Sequence, residues 1–92
     1  MGKDRNEVET YNREVGFDTQ IEYDASNNAI YIGEAYPGAT SAQAKWRIQK
    51  LAYDASNNMT TKRWAAASAT AQASDNFDKV WNDRASYYYQ GL

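Results

Sequence analysis

From Phe17 onward, short runs of β-branched and aromatic residues alternate with clusters of turn formers. TQIEY, AIYIGEAY, KWRIQKLAY and MTTKRWA occupy residues 19–23, 29–36, 45–53 and 59–65. Such runs favour the pleated, half-buried surface of a sheet. Between them lie DASNN, PGATSA and DASNN again, all rich in residues that reverse a chain. The pattern predicts an antiparallel meander of two hairpins. Residues 41–55, SAQAKWRIQKLAYDA, also suit a helix on propensity alone. The alternation through Trp46, Arg47 and Ile48, and the Tyr-Asp turn that ends the run, favour a strand. Ile48 and Leu51 cannot share one side of a regular strand. Either both faces of this strand are covered or a bulge lies between them.

The flanks read differently. Residues 1–16 show neither helical nor strand periodicity and predict an extended N-terminal arm, followed by a single β-rich domain over 17–92. Residues 65–74, AAASATAQAS, read as a loop or two turns of helix with little bulk to bury. Ser74 or Asp75 is a plausible N-cap for a short helix near 75–83, NFDKVWNDR, with Phe77 and Trp81 on one face. A final strand, ASYYYQ, would turn Tyr87 and Tyr89 one way and Tyr88 the other. The expected fold is thus mainly β: a small antiparallel meander, sandwich-like or barrel-like, with two hairpins, a C-terminal strand and one short helix.

The six residues YDASNN occur at 23–28 and again at 53–58, thirty positions apart. Asp, Ser and Asn at alternate positions mimic the start of a calcium loop. An EF-hand continues with a glycine at its sixth position and a glutamate at its twelfth. Here Ala29 and Met59 hold the sixth positions, and Ala35 and Ala65 the twelfth. The repeat therefore reads as a hairpin connection, in which the Asp carboxylate accepts local N–H groups and an Asn turns left-handed.

Composition narrows the chemistry. Ninety-two residues make one domain, and the chain has neither cysteine nor histidine. Thiol nucleophiles, disulfides and the usual zinc ligands are excluded with them, along with the commonest general base. No glycine-rich phosphate loop is present, and carboxylates such as Asp75 and Asp78 are spaced for helix capping rather than for an acid–base pair. The expectation is a non-enzyme with no cofactor, no metal and no catalytic residue. No run is apolar enough to span a bilayer, and the polar start MGKDRNEVET lacks a secretory signal's apolar segment.

Net charge is −2, unevenly spread. Residues 1–24 carry seven acidic and three basic side chains, whereas residues 45–63 carry five basic ones against Asp54 alone. An acidic arm could lie against a basic hairpin, within one chain or between neighbours, though ordinary solvated faces would give the same count. Three tryptophans and eight tyrosines supply most of the large side chains. They suit a core or a subunit interface, and equally a stacking surface for sugars or bases. The candidate interface residues are Tyr11, Arg13, Lys45, Arg47, Lys62, Arg63, Tyr87, Tyr88 and Tyr89.

YIGEAYPGATSAQAKWRIQKLAYDASNN (31–58) and NFDKVWNDRASYYYQ (76–90) together resemble a group of short proteins of tailed bacteriophages. Members of that group carry Y-I-G-x-A-x-x-G, W-x-I-x-K, a YDAxGN-type turn and an ending like F-D-x-V-W-D-x-R-A-S-x-x-Y. The likeness covers about residues 19–89, and the ending is its most specific part. The chain departs where the group has a compact W-A-D-G, because Trp64-Ala65 here opens into the alanine-rich run. The arm before Tyr11 is also longer. The resemblance implies a virion structural protein of the neck, tail, fibre or capsid surface, made in the host bacterial cytoplasm. Its expected partners are copies of itself and other virion proteins, with no membrane and nucleic acid disfavoured. A glycan-binding or nucleic-acid-binding module using exposed Tyr and Trp is the alternative.

Overall fold

The structure, a computed structural model, describes residues 16–89. The expected arm over 1–16, and with it Tyr11 and Arg13, therefore lies almost wholly outside the described residues. The four apolar runs form strands β1 (Asp18–Tyr23), β2 (Ala29–Ala35), β3 (Ala44–Tyr53) and β4 (Met59–Trp64). They lie side by side in chain order, each antiparallel to the next. A two-residue strand, β5 (Lys79–Val80), pairs with the first part of β3, and a 3₁₀ helix follows at Trp81–Ser86. The protein is mainly β, as the pattern of its sequence predicts.

The two hairpins reverse with the same backbone and aspartate hydrogen bonds. Asp24 Oδ1 accepts the N–H groups of Ser26 and Asn28 at 2.8 and 3.0 Å, and Asp54 Oδ1 those of Ser56 and Asn58 at 2.9 Å each. Asn27 and Asn57 take the left-handed conformation, with φ of 66° and 67°. Asparagine tolerates that region because its short amide bonds locally. The register shifts at Glu22/Tyr23 and at Ala52/Tyr53, so each loop carries its bulge at the same place. Because a meander puts alternate turns at one end, the two copies meet. Asn28 Nδ2 donates to Asn57 Oδ1 at 3.0 Å, and the Tyr53 hydroxyl donates to Ala29 O at 2.7 Å.

One sheet face carries the core. Trp46 and Ile48 of β3 point to the side where β2 offers Gly33 and Ala35, and Trp81 closes over them. Trp81 lies so near the sheet that a Cβ on Gly33 would sit 2.5 Å from its Cε3. Glycine is required there because any side chain would displace the indole. Trp46 Nε1 donates to Thr40 O at 2.9 Å, so its buried polar atom is satisfied by the β2–β3 connection. Ile48 and Leu51 are both buried on opposite faces of β3, the first of the two arrangements their spacing allows.

The C-terminal third departs from the sequence pattern in its details. The short helix lies at Trp81–Ser86, toward the C-terminal end of the expected span, and Ser74 and Asp75 do not cap it. Lys79 and Val80 are drawn into the sheet instead, paired with Trp46 and Ala44, and the Val80 N–H donates to the Tyr87 hydroxyl at 2.8 Å. A helix cannot begin until those backbone groups are used. Phe77 and Trp81 consequently fall on opposite sheet faces, Phe77 against Arg47 and Trp81 against Trp46. Residues 67–78 are irregular. The expected last strand shrinks to a single bridge between Ala66 and Tyr88. The alanines matter at their start: Ala65 and Ala66 are buried, and the Ala65 N–H donates to Ile48 O at 3.0 Å.

Candidate functional site

The β3–β4 register sets Lys50 directly opposite Arg63. Antiparallel partners project to the same face, so two cations stand together on the core side of the sheet, beyond the end of the tryptophan cluster. The chain from Tyr87 to Tyr89 crosses this corner, anchored by the Ala66–Tyr88 bridge with hydrogen bonds of 2.7 and 3.0 Å. Lys50, Arg63, Thr61 and the three tyrosines thereby line a cleft of about 380 Å³. That volume is at the lower end of the range for small-ligand sites.

The tyrosines divide the work by alternation, as the ASYYYQ pattern predicts. Tyr87 and Tyr89 pack on the core, while Tyr88 keeps 44% of its surface exposed. Both inward hydroxyls are engaged: the Tyr87 hydroxyl accepts from the Val80 N–H, and the Tyr89 hydroxyl donates to Arg84 O at 2.7 Å. Burial pushes the ionisation of Tyr89 well above the usual tyrosine value, so its hydroxyl stays a proton donor through the physiological range. Tyr89 also packs against Tyr31, with ring centroids 5.7 Å apart. The Lys50 ammonium sits over both rings, 5.7 Å from the centroid of Tyr31 and 5.8 Å from that of Tyr89. The negative ring faces hold the cation at the cleft without neutralising it.

The other basic residues lie elsewhere. Lys62 pairs in register with Leu51, which puts it on the opposite face from Arg63. Arg47 is engaged internally. Its guanidinium meets Glu34 Oε1 at 2.8 Å and lies 4.7 Å from the centroids of both Phe17 and Phe77. Lys45 lines a smaller cleft of about 250 Å³ beside Tyr36, Pro37 and Phe77. Of the sequence candidates, the structure brings together Arg63 with Tyr87–Tyr89, and separates Lys45, Arg47 and Lys62 from them. Lys50 and Thr61 were not singled out by sequence. Their signal was the alternation along β3 and β4, which becomes informative only once the register is known.

Glu22 and Arg84 tie this face together. Arg84 Nε donates to Glu22 Oε1 at 2.8 Å, Nη1 reaches Trp81 O at 3.1 Å, and the guanidinium lies 4.6 Å over the Trp81 ring. One residue thus locks the 3₁₀ helix to β1. Comparisons of the chain with protein-family models, with curated proteins and with solved structures found no match.

Proposed function

We propose that this chain is a structural subunit of a tailed-bacteriophage particle, in its neck, tail, fibre or capsid surface, that works through contacts with copies of itself and with other virion proteins. The sequence resemblance supplies the setting, and the open sheet supplies the physical support. The observation that carries the reading is the state of the two outer strands. Among the described residues β1 and β4 each pair on one side only. Both carry exposed apolar side chains, Ile21 at 41% and Tyr23 at 57% on β1, and Met59 at 53% on β4.

An unpaired edge with apolar residues is an aggregation template unless a defined partner covers it. Strand addition by a neighbour satisfies the edge backbone and buries those side chains together. Joining β1 of one copy to β4 of the next is a heterologous contact, which closes into a ring or extends as a filament. The contrast between an acidic N-terminal stretch and the basic β3–β4 hairpin favours the same head-to-tail contact. In this role the chain acts by binding, not by catalysis.

Native mass spectrometry and light scattering test the reading. A defined oligomer is expected, and removal of residues 1–15 should lower its mass. The chain should also be found by peptide mass spectrometry in purified phage particles. A strictly monomeric protein at high concentration, absent from particles, would overturn the proposal. An unchanged oligomer after the truncation would remove the arm's part in it.

A further inference from the structure

We infer that the cleft between Lys50, Arg63 and Tyr87–Tyr89 binds an acidic sugar, a pyranose ring bearing a carboxylate or phosphate group. This inference concerns the core face of the sheet: Arg63 and Thr61 belong to outer strand β4 but project from its face, not from its unpaired backbone edge, and sugar binding is read separately from the oligomer.

Three features converge on that chemistry. First, Lys50 and Arg63 are cross-strand partners. Like charges directly opposite each other destabilise a sheet, so the pair costs stability unless an anion sits between them. Among the described residues no carboxylate pairs with either. Arginine offers a planar fork and lysine a mobile point charge, and together they suit one carboxylate or phosphate. Second, the Tyr89 hydroxyl is spent as a donor on Arg84 O and the Tyr87 hydroxyl already accepts from the Val80 N–H, so beyond the Tyr87 proton these residues offer a ligand mainly ring surface. A pyranose presents polarised C–H bonds that match the negative face of an aromatic ring. Third, the Thr61 side chain and the exposed Tyr88 stand at the cleft wall, where they can meet ring hydroxyl groups.

The same features weigh against two other anions. Nucleic-acid affinity grows with the number of phosphates neutralised along a track. This cleft holds two cations in a chain of net charge −2, enough for a single anionic group. An extended acidic peptide would take its hydrogen bonds from a strand edge. The cleft is walled by side chains on a sheet face.

The test is a titration of the full isotope-labelled chain, followed by backbone amide shifts. The probes are a glucuronate-containing disaccharide, glucose 6-phosphate, the neutral disaccharide cellobiose and a short single-stranded DNA. The acidic sugars should shift the amides of Lys50, Arg63 and Tyr88, with Kd on the order of 0.1–5 mM, a range typical of a few contacts. Cellobiose should bind at least about tenfold more weakly, a difference of roughly 1.4 kcal/mol for the missing charge. Comparing the uronate with the phosphate ester identifies which anion the pair prefers. Lys50→Ser and Arg63→Ser change exposed side chains, so they should fold as the parent does and each lose at least about fivefold in affinity, consistent with one charged contact. Tyr88→Ser should weaken the acidic and neutral sugars alike. Equal binding of cellobiose and the acidic sugars would overturn the inference. So would tighter binding of the DNA, unaltered affinity in both cation variants, or shifts confined to residues outside the cleft.

Discussion

Single positions set the two most exacting features of this protein, the close approach of Trp81 to the sheet and the twin loops. A Cβ on Gly33 would fall 2.5 and 2.7 Å from two atoms of the Trp81 ring, and the Trp46 ring lies just beyond at 3.3 Å. Gly33→Ala should therefore destabilise the fold by about 1–3 kcal/mol, the usual range for overpacking a tight core. Urea unfolding followed by tryptophan fluorescence measures this, and an unchanged midpoint would refute the packing described. In the loops, Asn27 and Asn57 hold positive φ values that a side chain without a local amide resists. Asn57→Ala should cost roughly 1 kcal/mol, while Asn57→Gly should be close to neutral. Thermal unfolding of the pair should rank them in that order. The Asn58 backbone N–H, followed by that of Ser56, holds the Asp54 carboxyl below the ordinary aspartate range. A depressed value means that the folded loop favours the ionised form. Its contribution is present above the unfolded-state value and fades as pH falls through the folded one. Carboxyl carbon shifts across an acid titration should place Asp54 below an ordinary aspartate, and Asp54→Asn should flatten the acid limb of the stability curve.

At the scale of elements, the meander is largely local, whereas its cover is not. Each hairpin joins strands separated by one loop, so turn chemistry and alternation suffice to define it. The DASNN loops and the strands around them were legible for that reason. The segment from Lys79 to Tyr89 was legible only in its alternating tyrosines. Its helical periodicity, with Phe77 and Trp81 four apart, loses to two tertiary demands: β5 completes the edge of β3, and Trp81 fills the space over Gly33. Propensity yields when burial on this scale competes, because removing a buried tryptophan costs about 3–5 kcal/mol. Ending the chain before Lys79 should expose Trp46 and Ile48. Such a truncation should lose cooperative unfolding and gain binding of a hydrophobic dye. A truncated protein with a sharp transition would show that the sheet does not need this cover.

For the molecule as a whole, the decisive contrast is between its loop tips and its lateral edges. The twin loops are tied to each other by the Asn28–Asn57 hydrogen bond, whereas among the described residues the outer strands offer unpaired backbone and exposed Ile21, Tyr23 and Met59. Assembly through those edges makes stability depend on concentration, because association acts only on the folded state. The midpoint of thermal unfolding should rise by roughly 5–10 °C over a hundredfold increase in protein concentration. Ile21→Lys, which charges the edge of β1, should abolish that dependence while leaving the dilute midpoint nearly unchanged. A midpoint independent of concentration in the parent chain would remove the edges as an interface.

The sequence by itself determined what depends on near neighbours: the four strands of the meander, both loops with their left-handed asparagines, and the alternation that sets Tyr87 and Tyr89 on one side and Tyr88 on the other. Alternation and turn geometry are properties of a few consecutive residues, and a repeat written twice folds twice. Tertiary structure alone decided which of five basic side chains in the hairpin region would stand together. Register placed Lys50 beside Arg63, sent Lys62 to the other face and left Arg47 to Glu34 and two phenylalanines. It also carried Tyr87–Tyr89 across the sheet to the same corner. Charge and aromatic content are sums over the chain, whereas a site is a matter of position, and position is fixed only when the strands pair.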